Sequence, residues 1–382
     1  MTEKNFGSTV CSARFFRAAV VLLSILLFQF LSAISVSGQS AGDYRTNVTG
    51  TWNWNTVANW QVYNGSAWVV ATDFPGQNPG TGTVTIQNNT NVTLNVTPAN
   101  PIGALFIDPG DQNSSVKFTG ANGLEVSGQI ILNAPIRNNT YKYIWVDAGT
   151  LTCSSIIMTN GSNDTRDCYI HIGNGTVIVS GDITMRGTNV QNYFLFNGTG
   201  TLYAGGAMTG GGITSISGGS AGPPSSGTVN FNGSGSQTIP AYNYFNLTIS
   251  GNRGTNNVTL VNGGTIGIAG TFLPSAVFSS GGYVVTNNTV NFNGTGAQII
   301  PAFNYNNLTI SGARTVNTVT LDNSGSIGVS GTFSPTATFT SGGWNIAGST
   351  IDFNGDINQT IPTFNYFNLT ISGNRGTNNV TL

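Results

Sequence analysis

Beyond the first forty residues, short apolar runs alternate with polar positions at a period of two. Leu247-Thr248-Ile249, Val258-Thr259-Leu260, Ile266-Gly267-Ile268 and Tyr283-Val284-Val285 are typical, and Gly, Asn and Ser separate them. Runs of this kind, three to five residues long between turn formers, predict strands and exclude amphipathic helices. One phrase, apolar-x-apolar-(Ser/Ala)-Gly-x-apolar, recurs along the chain. It reads Leu124-Glu125-Val126-Ser127-Gly128-Gln129-Ile130, then Val177 to Ile183, Ile266 to Phe272 and Ile327 to Phe333. Two apolar pairs hinged on a glycine predict two short strands meeting at a corner, the glycine supplying a positive φ.

A longer period overlies this one. Thr228-Val229-Asn230-Phe231-Asn232-Gly233 returns as Thr289 to Gly294 and as Thr350-Ile351-Asp352-Phe353-Asn354-Gly355, which sets a 61-residue period. Pro240, Pro301 and Pro362 keep the same spacing, and Asn243 to Leu260 is identical to Asn365 to Leu382. Corners at regular intervals without helices predict an all-β fold, a right-handed parallel β-helix in which each coil stacks on the one before. At roughly 20 residues and about 4.8 Å per coil, the 61-residue unit would be about three coils and the mature chain a rod on the order of 70 to 80 Å. The competing fold, a string of β-sandwiches, fits less well: the unit is short for a sandwich, and hairpin punctuation is missing. The third copy stops at Leu382, about halfway through a unit, so the chain reads as an N-terminal fragment of something longer or a truncated reading frame.

Composition sharpens this picture. Of 382 residues only 7% are charged, 52 are Gly and 48 are Asn, and the net charge is −1. Stacked coils explain the deficit, because a charge repeated in every coil repels itself whereas Asn and Thr hydrogen-bond in ladders. The same deficit excludes a nucleic-acid partner, which would need Lys/Arg neutralisation of phosphate. At the N-terminus Lys4, Arg14 and Arg17 precede an apolar run from Ala18 to Leu31 and small residues near Val36 and Gly38. That is the layout of a secretory signal peptide cleaved after Gly38, so the protein is expected outside the cell, meeting the membrane only during export. The run is too short for an uncleaved anchor. Cleavage leaves a charge of −3.

The expected organisation is therefore a signal peptide (1–38), a Trp-rich cap segment (39–98) and irregular β-helix coils (99–216). A Gly/Ser/Pro-rich bridge (217–227) then leads to the repeats (228–288, 289–349 and 350–382). The cap segment holds four of the six tryptophans, Trp52, Trp54, Trp60 and Trp68, suited to covering the open end of the first coil.

Chemistry is sparse. Cys153 and Cys168 are the two cysteines of the mature chain and could close a disulfide or remain buried thiols. His171 is the sole histidine, and no P-loop, nucleophile elbow, zinc cluster or EF-hand loop is present, so no cofactor or metal is implied. The densest ionisable cluster is Asp164, Arg166, Asp167, His171, Asp182 and Arg186. Its functional reading is a polysaccharide lyase or hydrolase site, its plain reading a solvated loop. Each repeat keeps an arginine (Arg253, Arg314, Arg375) and two aromatics (Tyr242 and Tyr244, Phe303 and Tyr305, Phe364 and Tyr366). These nine could form a strip for extracellular glycans or surface matrix. Alternatively, the arginines bond free carbonyls at turns and the rings pack in the core. Asn-x-Ser/Thr sequons such as Asn47-Val48-Thr49 follow from the Asn/Thr richness.

The stretch Gly42-Asp43-Tyr44-Arg45, Gly50-Thr51-Trp52-Asn53, Ala58-Asn59-Trp60-Gln61 and Pro75-Gly76, followed by Val84-Thr85-Ile86 and Val92-Thr93-Leu94, resembles the start of large secreted bacterial surface proteins. It is similar to the opening of G8-type modules, and Asn246-Leu247-Thr248-Ile249-Ser250-Gly251 resembles their repeat units. The resemblance implies a Trp-rich segment leading into β-helix coils on a cell-surface protein, of a kind that often ends in a C-terminal sorting domain. The resulting expectation is a non-enzymatic, adhesin-like scaffold or stalk.

Overall fold

The structure, a computed structural model, describes residues 38–159, 165–214 and 224–382. The signal-peptide expectation falls on residues outside this set, as do Asp164 and most of the Gly/Ser/Pro-rich bridge. Ala41 to Leu382 forms one compact unit. It is a parallel β-solenoid of about eleven turns. Among the described residues the helical content is a single 3-10 turn, Val57–Asn59.

Alternation builds the wall of the solenoid. Thr140–Val146 turns Lys142, Ile144 and Val146 inward, and Thr176–Val179 and Asn246–Ile249 likewise bury every second residue. Most of the buried apolar side chains join into one continuous core from Tyr44 to Ile361. Ahead of the repeats, Gln129–Leu132, Thr140–Val146 and Thr150–Cys153 make up a single turn. Ser155–Met158, Arg166–Ile172 and Thr176–Val179 make up the following one, each strand paired parallel and in register with its counterpart. Such turns, at about 26 residues, are longer than the expected coil and shorten the solenoid: about eleven turns at about 4.8 Å give on the order of 50 Å rather than 70 to 80 Å.

Coiling begins inside the segment expected to be the cap, since Thr83–Ile86 and Thr90–Leu94 already pair parallel with the following turn. The cap proper is an antiparallel meander, Tyr44–Thr46 beside Trp60–Tyr63 beside Trp68–Val70. Trp54 and Trp60 are fully buried there. Trp54 Nε1 donates to Pro75 O at 3.0 Å and Trp60 Nε1 to Trp54 O at 2.8 Å. The indoles of Trp52 and Trp54 meet Trp60 edge-on at 5.0 and 5.1 Å, so the end of the core is closed by apolar mass in which the two buried indole N–H groups are satisfied.

The corner glycines act differently from the expectation. Gly128 and Gly270 have no positive φ. A Cβ would instead lie 2.5 Å from Gly103 O at the first and 2.5 Å from Asn246 Oδ1 at the second, so glycine is required by the close approach of the previous coil. Positive φ falls on another glycine of the repeat, Gly251 at 91°.

The 61-residue unit is not three coils. From Thr228 the chain visits the seven-stranded sheet (Thr228–Phe231), a three-stranded sheet (Gln237–Ile239) and the five-stranded sheet (Asn243–Tyr244). It follows the same order through Asn246–Ile249, Val258–Leu260 and Thr265–Ile268, then Phe272–Pro274 and Tyr283–Val284. The second copy therefore opens with Thr289–Phe292 on the five-stranded sheet, and the third with Thr350–Phe353 on the four-stranded one. Eight sides of a three-sided coil make two and two-thirds turns. Equivalent residues of successive copies are thus rotated by about a third of a turn about the axis instead of standing in line.

Candidate functional site

The nine repeat residues expected to form a glycan strip do not form one. Arg253 and Arg314 are buried, and their guanidinium groups are turned onto backbone and glutamine oxygens. Arg253 donates from Nε to Ser250 O (3.1 Å), from Nη1 to Gly235 O (3.2 Å) and Gln237 Oε1 (2.5 Å), and from Nη2 to Phe231 O (2.6 Å). Arg314 repeats this on Ser311, Gly296, Gln298 and Phe292, and the half-buried Arg375 does so on Ser372, Ile357, Gln359 and Phe353. Burial pulls the Arg253 and Arg314 guanidinium pKa values down. Tyr244 and Tyr305 are buried with their hydroxyls on Pro240 O and Pro301 O, and Phe303 is buried against Phe272. Tyr242, Phe364 and Tyr366 are half-buried and pack on the same core. Five of the nine are thus buried and four half-buried, and the third-turn rotation separately prevents a straight row.

Sequence reasoning missed the glutamine that completes this clasp. Gln237 Nε2 donates to Ala204 O (2.9 Å) and Gly206 O (2.7 Å) of the preceding coil while its Oε1 takes the arginine. Gln298 and Gln359 do the same one and two units later. The available signal was a Gln kept sixteen residues before each Arg.

The cysteines remain apart. Cys153 belongs to the seven-stranded sheet and Cys168 to the fourteen-stranded one, and both are buried free thiols, which corrects the disulfide. Burial pushes the Cys153 thiol up to about 12 and the Cys168 thiol higher still, so neither is a ready nucleophile.

The ionisable cluster also disperses. Asp167 is buried and accepts a hydrogen bond from Tyr193 Oη at 3.3 Å. Asp182, at the turn before Ile183, accepts from the Ala207 N–H at 2.8 Å. Arg166 Nε donates to Asn138 Oδ1 at 3.1 Å, and Arg186 is exposed. His171 lies flat on Trp145, centroids 4.6 Å apart and planes 10° from parallel, and burial lowers its pKa. Among the described residues no group of three His, Cys, Asp or Glu could hold a metal ion, and no helix is long and apolar enough to cross a membrane.

What the structure does assemble is an aromatic ladder. Strands Thr140–Val146, Arg166–Ile172 and Ile183–Phe196 put Tyr143, Tyr169 and Tyr193 in one register row, and Trp145, His171 and Leu195 in the next. Tyr143 and Tyr169 stack at 5.0 Å and 2°, Tyr169 and Tyr193 at 5.2 Å and 5°. With Tyr141 and Leu195 these rings form a cluster of their own, separate from the main core. Lys117 Nζ sits 3.7 Å over the Trp145 ring. Tyr141, Tyr143 and Trp145 are half-exposed, whereas Tyr193 is buried. The alternation Tyr141-x-Tyr143-x-Trp145 was visible in the sequence, but its stacking partners were not, because they lie a full turn away.

No family model, curated protein or solved structure matches this chain.

Proposed function

We propose that this protein is a secreted, non-enzymatic surface scaffold: a solenoid that sets distance through its repeats and offers the half-exposed ladder edge to extracellular glycans. The observation that carries the reading is the direction of the side chains. Each repeat turns its Arg, Gln and Tyr inward to bind coil to coil, while the unrepeated turns hold a row of aromatic rings outside the core at coil spacing. Support for the non-enzymatic reading comes from Asp167 and Asp182, whose carboxylates are engaged by Tyr193 and a backbone N–H at separate places in the wall. Secretion rests on the N-terminal sequence.

The test is binding of the full chain to immobilised neutral and acidic polysaccharides, beside a Tyr143→Ala/Trp145→Ala variant. Losing ring contacts worth on the order of 1 kcal/mol each should weaken binding about tenfold or more. Equal binding by the variant removes the ladder from the proposal, and release of shortened oligosaccharides by the wild type returns it to the enzyme class.

A further inference from the structure

Lys142 is a fully buried lysine in the wall of a charge-poor solenoid, and neither the scaffold nor the ladder uses it. Its Nζ donates to Gln112 O at 2.7 Å, to Ser114 Oγ at 3.2 Å and to Asn88 Oδ1 at 3.2 Å. The first two hydrogen bonds occupy the two N–H groups a neutral amine would keep. The third goes to the oxygen of the Asn88 carboxamide, which places the amine nitrogen beside the carbonyl it would attack.

The Asn88 amide is held in the manner of an acyl group awaiting attack. Its Oδ1 also accepts the Gln112 backbone N–H at 3.0 Å, a donor placed where negative charge would develop. Its Nδ2 donates to Asp111 Oδ1 at 2.9 Å, which fixes the nitrogen that would leave. Gly110 packs on this amide so closely that a Cβ there would lie 2.3 Å from Asn88 Cγ, leaving the group little room to turn away. A half-buried carboxyl, Asp108, whose charge interacts with that of Lys142, completes the set: burial raises its pKa against the opposing pull of the lysine. Burial in turn lowers Lys142 to about 8, so an appreciable fraction is the free amine near neutral pH.

We infer that Lys142 and Asn88 form an intramolecular isopeptide bond, tying together turns that lie 54 residues apart in the chain. Asp108 first takes the ammonium proton. The Nζ lone pair then bonds to Asn88 Cγ, and the carbonyl electron pair moves to Oδ1 against the Gln112 N–H. A proton passes from the attacking nitrogen to Nδ2, the Cγ–Nδ2 bond breaks, and Oδ1 re-forms its double bond. The products are a secondary amide, ammonia and protonated Asp108, which returns its proton to the departing ammonia. No oxidant, metal or energy source is consumed.

Mass spectrometry of the full-length purified chain decides the matter. The wild type should be lighter by one ammonia. Trypsin should yield a branched peptide in which residues 46–117 are joined to 138–166, because cleavage after an acylated Lys142 is blocked. Lys142→Met, Asn88→Ala and Asp108→Asn should each restore the full mass and the linear peptides. Recovery from the folded wild type, after prolonged incubation, of linear peptides carrying an unmodified Asn88 and ending at Lys142 would overturn the inference. Ammonia loss traced to a succinimide or a cyclised N-terminal Gln in linear peptides overturns it equally, and both readings stand even if a variant fails to fold.

Discussion

At the scale of single residues, the repeated arginine has the largest expected energetic effect. Arg314 is a buried cation whose partners are carbonyl oxygens and Gln298. Truncation removes a donor from each of those oxygens inside the wall, and among the described residues only Phe292 O keeps a second one, the Ser311 N–H at 2.9 Å. Arg314→Ala should therefore cost about 3 kcal/mol or more, and Arg314→Lys nearly as much, because one ammonium cannot span the fork. Chemical denaturation against wild type measures both. The buried and half-buried tyrosines of the repeats set an alkaline limit. Burial raises Tyr242 and Tyr366 to about 12, and Tyr244, Tyr283 and Tyr305 upward as well. Their folded-state pKa values lie above the unfolded value of about 10, so their contribution is intact below pH ~10 and is lost as pH rises through about 12. Tyrosinate absorbance and circular dichroism followed together should change in that window. Ionisation of these rings near pH 10 with the fold intact would contradict it. Residue roles were the least legible level of the sequence. Arg253 could be read as a ligand contact or a turn brace, and only the positions of Phe231 O and Gly235 O distinguish the two.

At the scale of elements, the sequence was more informative. Alternation placed Leu247, Ile249, Leu308 and Ile310 inward, and all four are fully buried. The corner glycines were located correctly but explained wrongly, since contact between coils cannot be seen until coil length is known. The glycine closing the repeated Asn-Gly phrase makes this concrete. A Cβ on Gly294 would lie 2.0 Å from Ala269 O, whereas one on Gly343 would meet nothing within 4 Å. Gly294→Ala should destabilise by about 1–3 kcal/mol through backbone displacement. Gly343→Ala should be neutral or gain about 0.5 kcal/mol by restricting the unfolded chain. Thermal melts of the pair provide the comparison, and similar behaviour of the two would refute the close-approach account. The ladder escaped notice because Tyr143, Tyr169 and Tyr193 are neighbours only across strands of successive coils.

At the scale of the whole solenoid, the repeat was plain in the sequence but its phase was not. The step between paired strands is uneven. It is about 18 residues from Thr228 to its partner Asn246 and about 25 from Asn246 to Thr271, so no single coil length divides the unit evenly. Excising residues 289–349 should leave a folded protein, because the junction presents the third copy to the first as the second copy was presented. The loss of two and two-thirds turns should shorten the solenoid by about 13 Å in solution scattering. An unfolded product, or a shortening of three full coils, would contradict the assigned phase.

That phase gives copy number a second meaning. Adding or deleting one unit changes reach and also compass heading: whatever is carried beyond it swings to the next of three bearings, and a multiple of three units restores the original one. Variation in repeat count by duplication would then act as an indexing mechanism, in which length is read along the axis and orientation is read as a remainder.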